Sequence, residues 1–142
     1  EMPHPYNPVY EDHCEVFEQM KISSETILVG HSCGAGFLLR YFSEHPELKP
    51  KKIILVAPWI DPEPHELDTG FFDFTIDASL TDRTSLVVFY STDDDDVCVR
   101  SAEIIKEALP NATYHKFDNK GHFTKGDLGT EEFPEFLEEV LK

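Results

Sequence analysis

Hydrophobic positions along this chain fall into two alternating rhythms. Four short runs, Thr26–Val29, Ile53–Ala57, Leu86–Tyr90 and Thr113–Phe117, have the length and the β-branched or aromatic content of strands. The first three are nearly unbroken Ile, Leu, Val, Phe or Tyr, the pattern of strands covered on both faces. Around them, apolar residues recur at helical spacing. Val9, His13, Val16, Phe17 and Met20 make one face of an early helix, and Ala35, Leu38, Leu39 and Phe42 make a second. Ala102, Ile105, Ala108 and Leu109 make a third, ended by Pro110-Asn111. Phe133, Phe136, Leu137, Val140 and Leu141 make the last, with Thr130 as its predicted cap. Strand alternating with helix predicts an α/β fold, a three-layer sandwich in which a mostly parallel sheet carries helices on both sides. Only Ile60–Ser85 breaks the rhythm, with Pro62, Pro64, Gly70 and the aromatics Phe71, Phe72 and Phe74. Irregular chain of that length is often functional, and it reads as an insertion over the carboxyl edge of the sheet.

The 142 residues suit one domain, 1–142, with one core. A 40% hydrophobic content excludes wholesale disorder. Twelve basic against 28 acidic residues give a formal charge of −16, which argues against nucleic acid and anionic membrane surfaces as partners. No apolar run approaches the roughly 18–20 residues needed to span a bilayer. Nor does a basic start lead into an apolar stretch, as a signal peptide would. Cys14, Cys33 and Cys98 are odd in number and lack any CxxC spacing, so they read as free thiols of a cytoplasmic protein.

The chemistry is concentrated in three places. At the end of the first strand stands Gly30-His31-Ser32-Cys33-Gly34, a G-x-S-x-G placed between a strand and an amphipathic helix. A sharp strand-to-helix turn strains the serine backbone, and the flanking glycines are expected to relieve clashes with neighbouring main chain. The hydroxyl of Ser32 then projects above the sheet, and the Cys33 backbone amide is the expected oxyanion donor. A serine nucleophile needs a base and an orienting acid, which follow it in the chain order Ser, Asp or Glu, His. His4 and His13 precede the serine, His31 lies within the motif, and His45 and His65 come before any acid at a later strand end. His115 falls inside a strand. That leaves His122, in Gly121-His122-Phe123 after the last strand. The acid belongs to the run Asp93-Asp94-Asp95-Asp96 after the third strand, and the residues alone leave the choice among the four open. The same run fails as a calcium loop, because position 6 is Cys98 rather than glycine and position 12 is Ile104 rather than glutamate. No HExxH or paired Cys/His spacing is present, so the sequence implies neither a metal nor a cofactor. His31, Trp59 and Phe72 are the candidate substrate-binding residues, with Phe71 and Phe74 as further lining of an apolar pocket.

Taken together, these motifs resemble the α/β-hydrolase superfamily, and within it the small serine hydrolases of the retinoblastoma-binding protein 9/YdeN group. The resemblance runs from Met2-Pro3-His4-Pro5, like that group's MPxP turn, to the last helix. It also includes Asp68-Thr69-Gly70-Phe71-Phe72 and Ser91-Thr92-Asp93-Asp94. It implies a Ser32–Asp94–His122 triad, with Val97 as the hydrophobic residue that sets the acid's register. Cys98 stands where the group has proline, which leaves Asp93 as the fallback. The implied activity is hydrolysis of a small ester or amide through an acyl-enzyme, carboxylesterase-like, with thioesterase and peptidase chemistry also open. The rival is a non-catalytic relative that binds a ligand or protein. The resemblance does not bring retinoblastoma protein as a partner, since Asp12-His13-Cys14-Glu15-Val16 lacks the Leu and final Glu of LxCxE.

This resemblance alters the reading of length. A nucleophile elbow ordinarily follows earlier strands and a glycine-rich loop that supplies the second oxyanion amide, and neither has a counterpart here. With Glu1 in place of an initiating Met, the chain is expected to be the carboxyl-terminal part of a domain of about 180 residues, preceded by roughly 40 more.

Overall fold

Strand propensity and helical period produce ten elements in the computed structural model, which describes residues 2–4 and 6–142. Pro5 of the MPxP turn lies outside the described residues. In chain order the elements are α1 (Tyr10–Phe17), β1 (Ile27–His31), α2 (Cys33–Glu44), β2 (Lys52–Val56), α3 (Leu80–Arg83) and β3 (Ser85–Ser91). Then come α4 (Asp96–Ala108), β4 (Thr113–Phe117), α5 (Lys125–Leu128) and α6 (Pro134–Leu141). The strands form one parallel sheet in the order β1-β2-β3-β4. Register aligns Gly30 with Leu55, Leu55 with Val88 and Val88 with Tyr114.

Successive right-handed crossovers that step in one direction lay their helices on one face of the sheet. That face holds the larger core, where Ile53, Leu55, Leu86 and Val88 meet Phe37, Leu38 and Phe42 of α2, Ile105 of α4 and Phe17 of α1. Alternate strand residues, Ile54, Val56, Val87 and Phe89, point to the other face, against Phe123 and α6 residues Phe136 and Val140. Two layers of helix over one parallel sheet match the predicted three-layer sandwich. Among the described residues, no helix is long and apolar enough to cross a membrane.

Three expectations change. β1 is an edge strand and only partly covered: Leu28 and Ile27 pack on opposite faces, but Val29 is 49% exposed. The early helix stops at Phe17 and leaves Met20, expected on its apolar face, 52% exposed. The last helix starts at Pro134 with Phe133 as N-cap, because proline needs no backbone donor in the first turn. Thr130 instead accepts from the Glu132 amide, and Leu137 and Leu141 face outward. The rotation of α6 buries Glu139, which meets Lys52 (3.9 Å) at the foot of β2 and His115 (3.2 Å) on β4.

The irregular segment after β2 begins at the carboxyl edge, where the Trp59 amide donates to the Ser32 carbonyl. From there it crosses onto α1 and α2 rather than staying over the edge. Phe71 is fully buried against Tyr10, His13 and Phe37, and Arg40 of α2 donates to the carbonyls of Gly70 and Phe71 (both 2.7 Å).

Candidate active site

The carboxyl ends of β1, β3 and β4 open to the same side of the sheet, the usual place for ligands in an open parallel α/β fold. Ser32 sits between β1 and α2 with φ 54° and ψ −122°, a strained conformation for a residue with a side chain. Its main chain is tied down: the amide donates to Val56 O (2.9 Å), and the carbonyl accepts from the amides of Ala35, Gly36 and Trp59. Gly30 is sterically compelled, since a Cβ there would lie 2.6 Å from the Gly34 carbonyl oxygen and 2.7 Å from Ala35 Cα. Gly34 is not, because a Cβ there would meet nothing within 4 Å. Only one of the two flanking glycines therefore relieves a clash. The amide of Cys33, first residue of α2, has no acceptor within the helix and sits at its positive end, so it is available to a developing oxyanion.

His122 Nδ1 lies 2.9 Å from Asp94 Oδ1 and 3.1 Å from Oδ2. A nitrogen held by a carboxylate carries the proton, which leaves Nε2 as the basic atom. The Asp94 side chain is 3% exposed and the imidazole 28%, so the carboxylate is sheltered while the ring reaches the surface. Of the four consecutive aspartates, it is Asp94 that meets His122. Asp93 has a different task. It accepts from the Ser91 hydroxyl and from the Gly121 amide (3.1 Å), tying the turn after β3 to the histidine loop, and the Ser91 hydroxyl chiefly holds its carboxyl below the usual range.

The histidine loop has a second anchor. Asp127 accepts from the His122 and Thr124 amides (both 3.1 Å) and from the Thr124 hydroxyl (2.7 Å), while Thr124 and Asp127 cap α5 reciprocally. The Thr124 hydroxyl chiefly lowers the Asp127 pKa. Gly121, at φ +47°, admits no side chain because a Cβ would lie 2.8 Å from Asp127 Cγ. Sequence reading missed Asp127, although Thr124-x-x-Asp127 is the spacing of a capping box and would have found it. It also missed how His31 acts. His31 Nε2 donates to the His122 carbonyl (2.8 Å) with ring centroids 4.7 Å apart, joining the serine turn to the histidine loop.

Trp59 and Phe72 pack edge to face at 5.4 Å against α2, where a Cβ on Gly36 would strike the Trp59 carbonyl. Phe72 lines a cavity of about 470 Å³ within the 61–74 segment. A separate, mainly apolar groove of about 450 Å³ runs along β1 past Val29, His31, Cys33, Gly34 and Phe37; His31 borders it, whereas Trp59 and Phe72 do not. The other histidines bond elsewhere: His13 to the Pro3 carbonyl, His45 to that of Tyr41 and His65 to that of Asp61 (2.7 Å each), and His115 to Glu139.

Burial raises the Cys33 thiol to about 11, and burial followed by the charges of Asp94 and Asp95 raises Cys98 to about 12. Neither is a thiolate at neutral pH, so Ser32 has no thiol competitor. One grouping was invisible in the sequence: Asp94, Cys98 and His122 each bring a potential metal-ligating atom within 4.8 Å of the others. Its third member comes from the loop after β4, beyond the reach of any spacing rule.

The profile of a family described as Serine hydrolase matches residues 5–141. No curated protein is similar enough in sequence to count as a match. Among solved structures, the esterase domain of a Rhodothermus marinus protein is 23% identical (TM-score 0.54), with 81% of this chain and 57% of that one covered. A CIB-like hydrolase from Thermoplasma acidophilum is 15% identical (TM-score 0.55; 92% and 53% covered). Est1E from Butyrivibrio proteoclasticus, solved with ferulic acid bound, is 13% identical (TM-score 0.62; 95% and 70% covered). At such identities the likeness shows the fold, that of the α/β-hydrolases. The chain spans little more than half the length of the first two.

Proposed function

This chain belongs to the serine hydrolase family, and from that premise we propose that it hydrolyses a small ester or amide through Ser32, His122 and Asp94. The carrying observation is the His122–Asp94 pair, both carboxylate oxygens within 3.1 Å of Nδ1, in the loop that His31 ties to the serine turn. In this reading His122 Nε2 takes the Ser32 proton as the hydroxyl attacks the substrate carbonyl. Asp94 holds the ring and stabilises its cation. The Cys33 amide donates to the oxyanion, a contribution of about 2.7–4 kcal/mol per donor. His122 returns the proton to the leaving group, and water then cleaves the acyl-Ser32 by the reverse use of the same base.

Trp59 supports the serine turn from below through its main chain. The free edge of β1 also accommodates a further parallel strand, which fits a domain longer than these residues and a second oxyanion donor supplied from outside them.

Labelling by a fluorophosphonate probe tests the mechanism. Wild type should label and Ser32→Ala should not; equal labelling would refute it. Ser32-dependent turnover of short acyl esters would eliminate the non-catalytic alternative.

A further inference from the structure

One side chain at the site takes no part in the hydrolytic scheme. Cys98 lies in the first turn of α4, buried, with Sγ 3.8 Å from His122 Nδ1. We propose that Asp94, Cys98 and His122 form a site for a thiophilic divalent cation, zinc above all, whose binding switches the hydrolase off. The site itself stands on geometry, while its inhibitory effect rests on the function proposed above.

Thiolate, imidazole and carboxylate are the donors zinc selects, whereas magnesium and calcium take oxygen. Tetrahedral ligation with bonds of about 2.0–2.3 Å sets donor atoms roughly 3.3–3.6 Å apart. The Sγ–Nδ1 distance of 3.8 Å and the Nδ1–Oδ2 distance of 3.1 Å fall on either side of that range. Cys98 Sγ and the Asp94 carboxylate lie within 4.8 Å of each other, so an inward shift of the two side chains would complete three-fold ligation and leave the fourth position to water. On binding, the Cys98 thiol gives its proton to solvent, and the proton on His122 Nδ1 passes to Nε2. The metal with one thiolate and one carboxylate is then a site of zero net charge. The switch follows from the tautomer: with Nδ1 on the metal and Nε2 protonated, the ring has no lone pair for the Ser32 hydroxyl. Asp94 is at the same time withdrawn from its hydrogen bond. A cysteine at this position therefore makes the acid–base pair sensitive to trace metal in a way that a residue without a donor atom would not.

Cobalt(II) reports the site without recourse to activity, because thiolate ligation gives a near-ultraviolet charge-transfer band that oxygen and nitrogen donors do not. Wild type and Ser32→Ala should both show the band, and zinc should displace it. Cys98→Ala should lose it, and Asp94→Asn should weaken cobalt binding by about tenfold or more. In wild type, the zinc concentration that displaces cobalt should abolish ester hydrolysis, with recovery on adding EDTA. Cys98→Ser, measured against its own zinc-free rate, should need about tenfold more zinc or higher for half-inhibition. Absence of the band in wild type overturns the proposal. So does its persistence in Cys98→Ala protein whose circular dichroism and Tm match wild type, since the metal would then be on Cys14 or Cys33. A Cys98-dependent band in a chain with no Ser32-dependent hydrolysis would uphold the metal site and refute the hydrolytic reading and the switch built on it.

Discussion

The two glycines that flank the nucleophile make opposite predictions. Replacing Gly30 with alanine puts a Cβ 2.6 Å from the Gly34 carbonyl oxygen, 2.7 Å from Ala35 Cα and 2.8 Å from Ala35 N. All three atoms are backbone of the first turn of α2, so no side-chain rotation relieves the contact. Either β1 or the helix must move, and Ser32 and Cys33 lie between them. Overpacking of this kind costs about 1–3 kcal/mol. At about 2–4 °C per kcal/mol for a domain of this size, Tm should fall by roughly 2–12 °C. Gly34→Ala meets nothing within 4 Å and lies at negative φ near the start of α2, where alanine is the better helix former by up to about 1 kcal/mol. Its denaturation midpoint should hold or rise, at unchanged m-value. Urea denaturation followed by circular dichroism, run beside ester hydrolysis, separates the two. Gly30→Ala should lose both stability and activity, and Gly34→Ala should keep its stability. If Gly34→Ala is destabilised as much as Gly30→Ala, the assignment of the clash to one side of the turn is wrong.

Three further outcomes follow from the same geometry. Asp94→Asn should lower kcat by about 10⁴, as loss of the orienting carboxylate does in triad enzymes, while Asp93→Asn should lower it far less; equal losses would place the acid elsewhere. His31→Ala removes the donor to the His122 carbonyl, a bond of about 0.5–1.5 kcal/mol, and should lower kcat by up to about tenfold. His31→Gln, which keeps a donor, should recover part of the loss, a rescue that simple destabilisation would not give. Glu139→Ala removes the carboxylate beside buried Lys52, which keeps the Glu139 carbonyl as acceptor, and should cost about 1–3 kcal/mol in chemical denaturation. Because Lys142 chiefly, with His115, holds the Glu139 pKa below its usual value, this contribution is present above the unfolded-state pKa near 4.3 and disappears as pH falls through the lower folded value. The stability gap between wild type and Glu139→Gln should accordingly be constant above about pH 5 and close below about pH 4.

Much of this was legible in the sequence, for physical reasons that also mark where legibility ends. β2 and β3 announce themselves because both faces are covered, so Ile53–Val56 and Leu86–Tyr90 are unbroken apolar runs. β1 carries the same signature although its edge is open, and composition alone could not distinguish an edge strand from a central one. The serine turn was readable because strain concentrates glycine around it, yet glycine does not say which clash it relieves, and Gly34 relieves none. His122 followed from chain order. Asp94 could not be separated from Asp93 by the residues themselves, because both carboxylates reach the histidine loop and differ only in which of them meets the His122 ring. His31 and Cys98 gained their partner from the distant histidine loop, and Glu139 from β2 and β4, and no local pattern encodes contacts of that range.

The bond from His31 to the His122 carbonyl spans 91 residues, and the Asp94–His122 bond spans 28. Closing a loop of 91 residues costs about 4 kcal/mol of chain entropy, against about 3 kcal/mol for one of 28. The β1–β2 pairing, Ile27 with Lys52, closes over only 25 residues, so the long His31 tie is made through the sheet rather than directly. In refolding, full activity should therefore return only with the complete sheet, in step with the recovery of circular dichroism. Activity, in this architecture, is a report on the whole sheet rather than on three side chains.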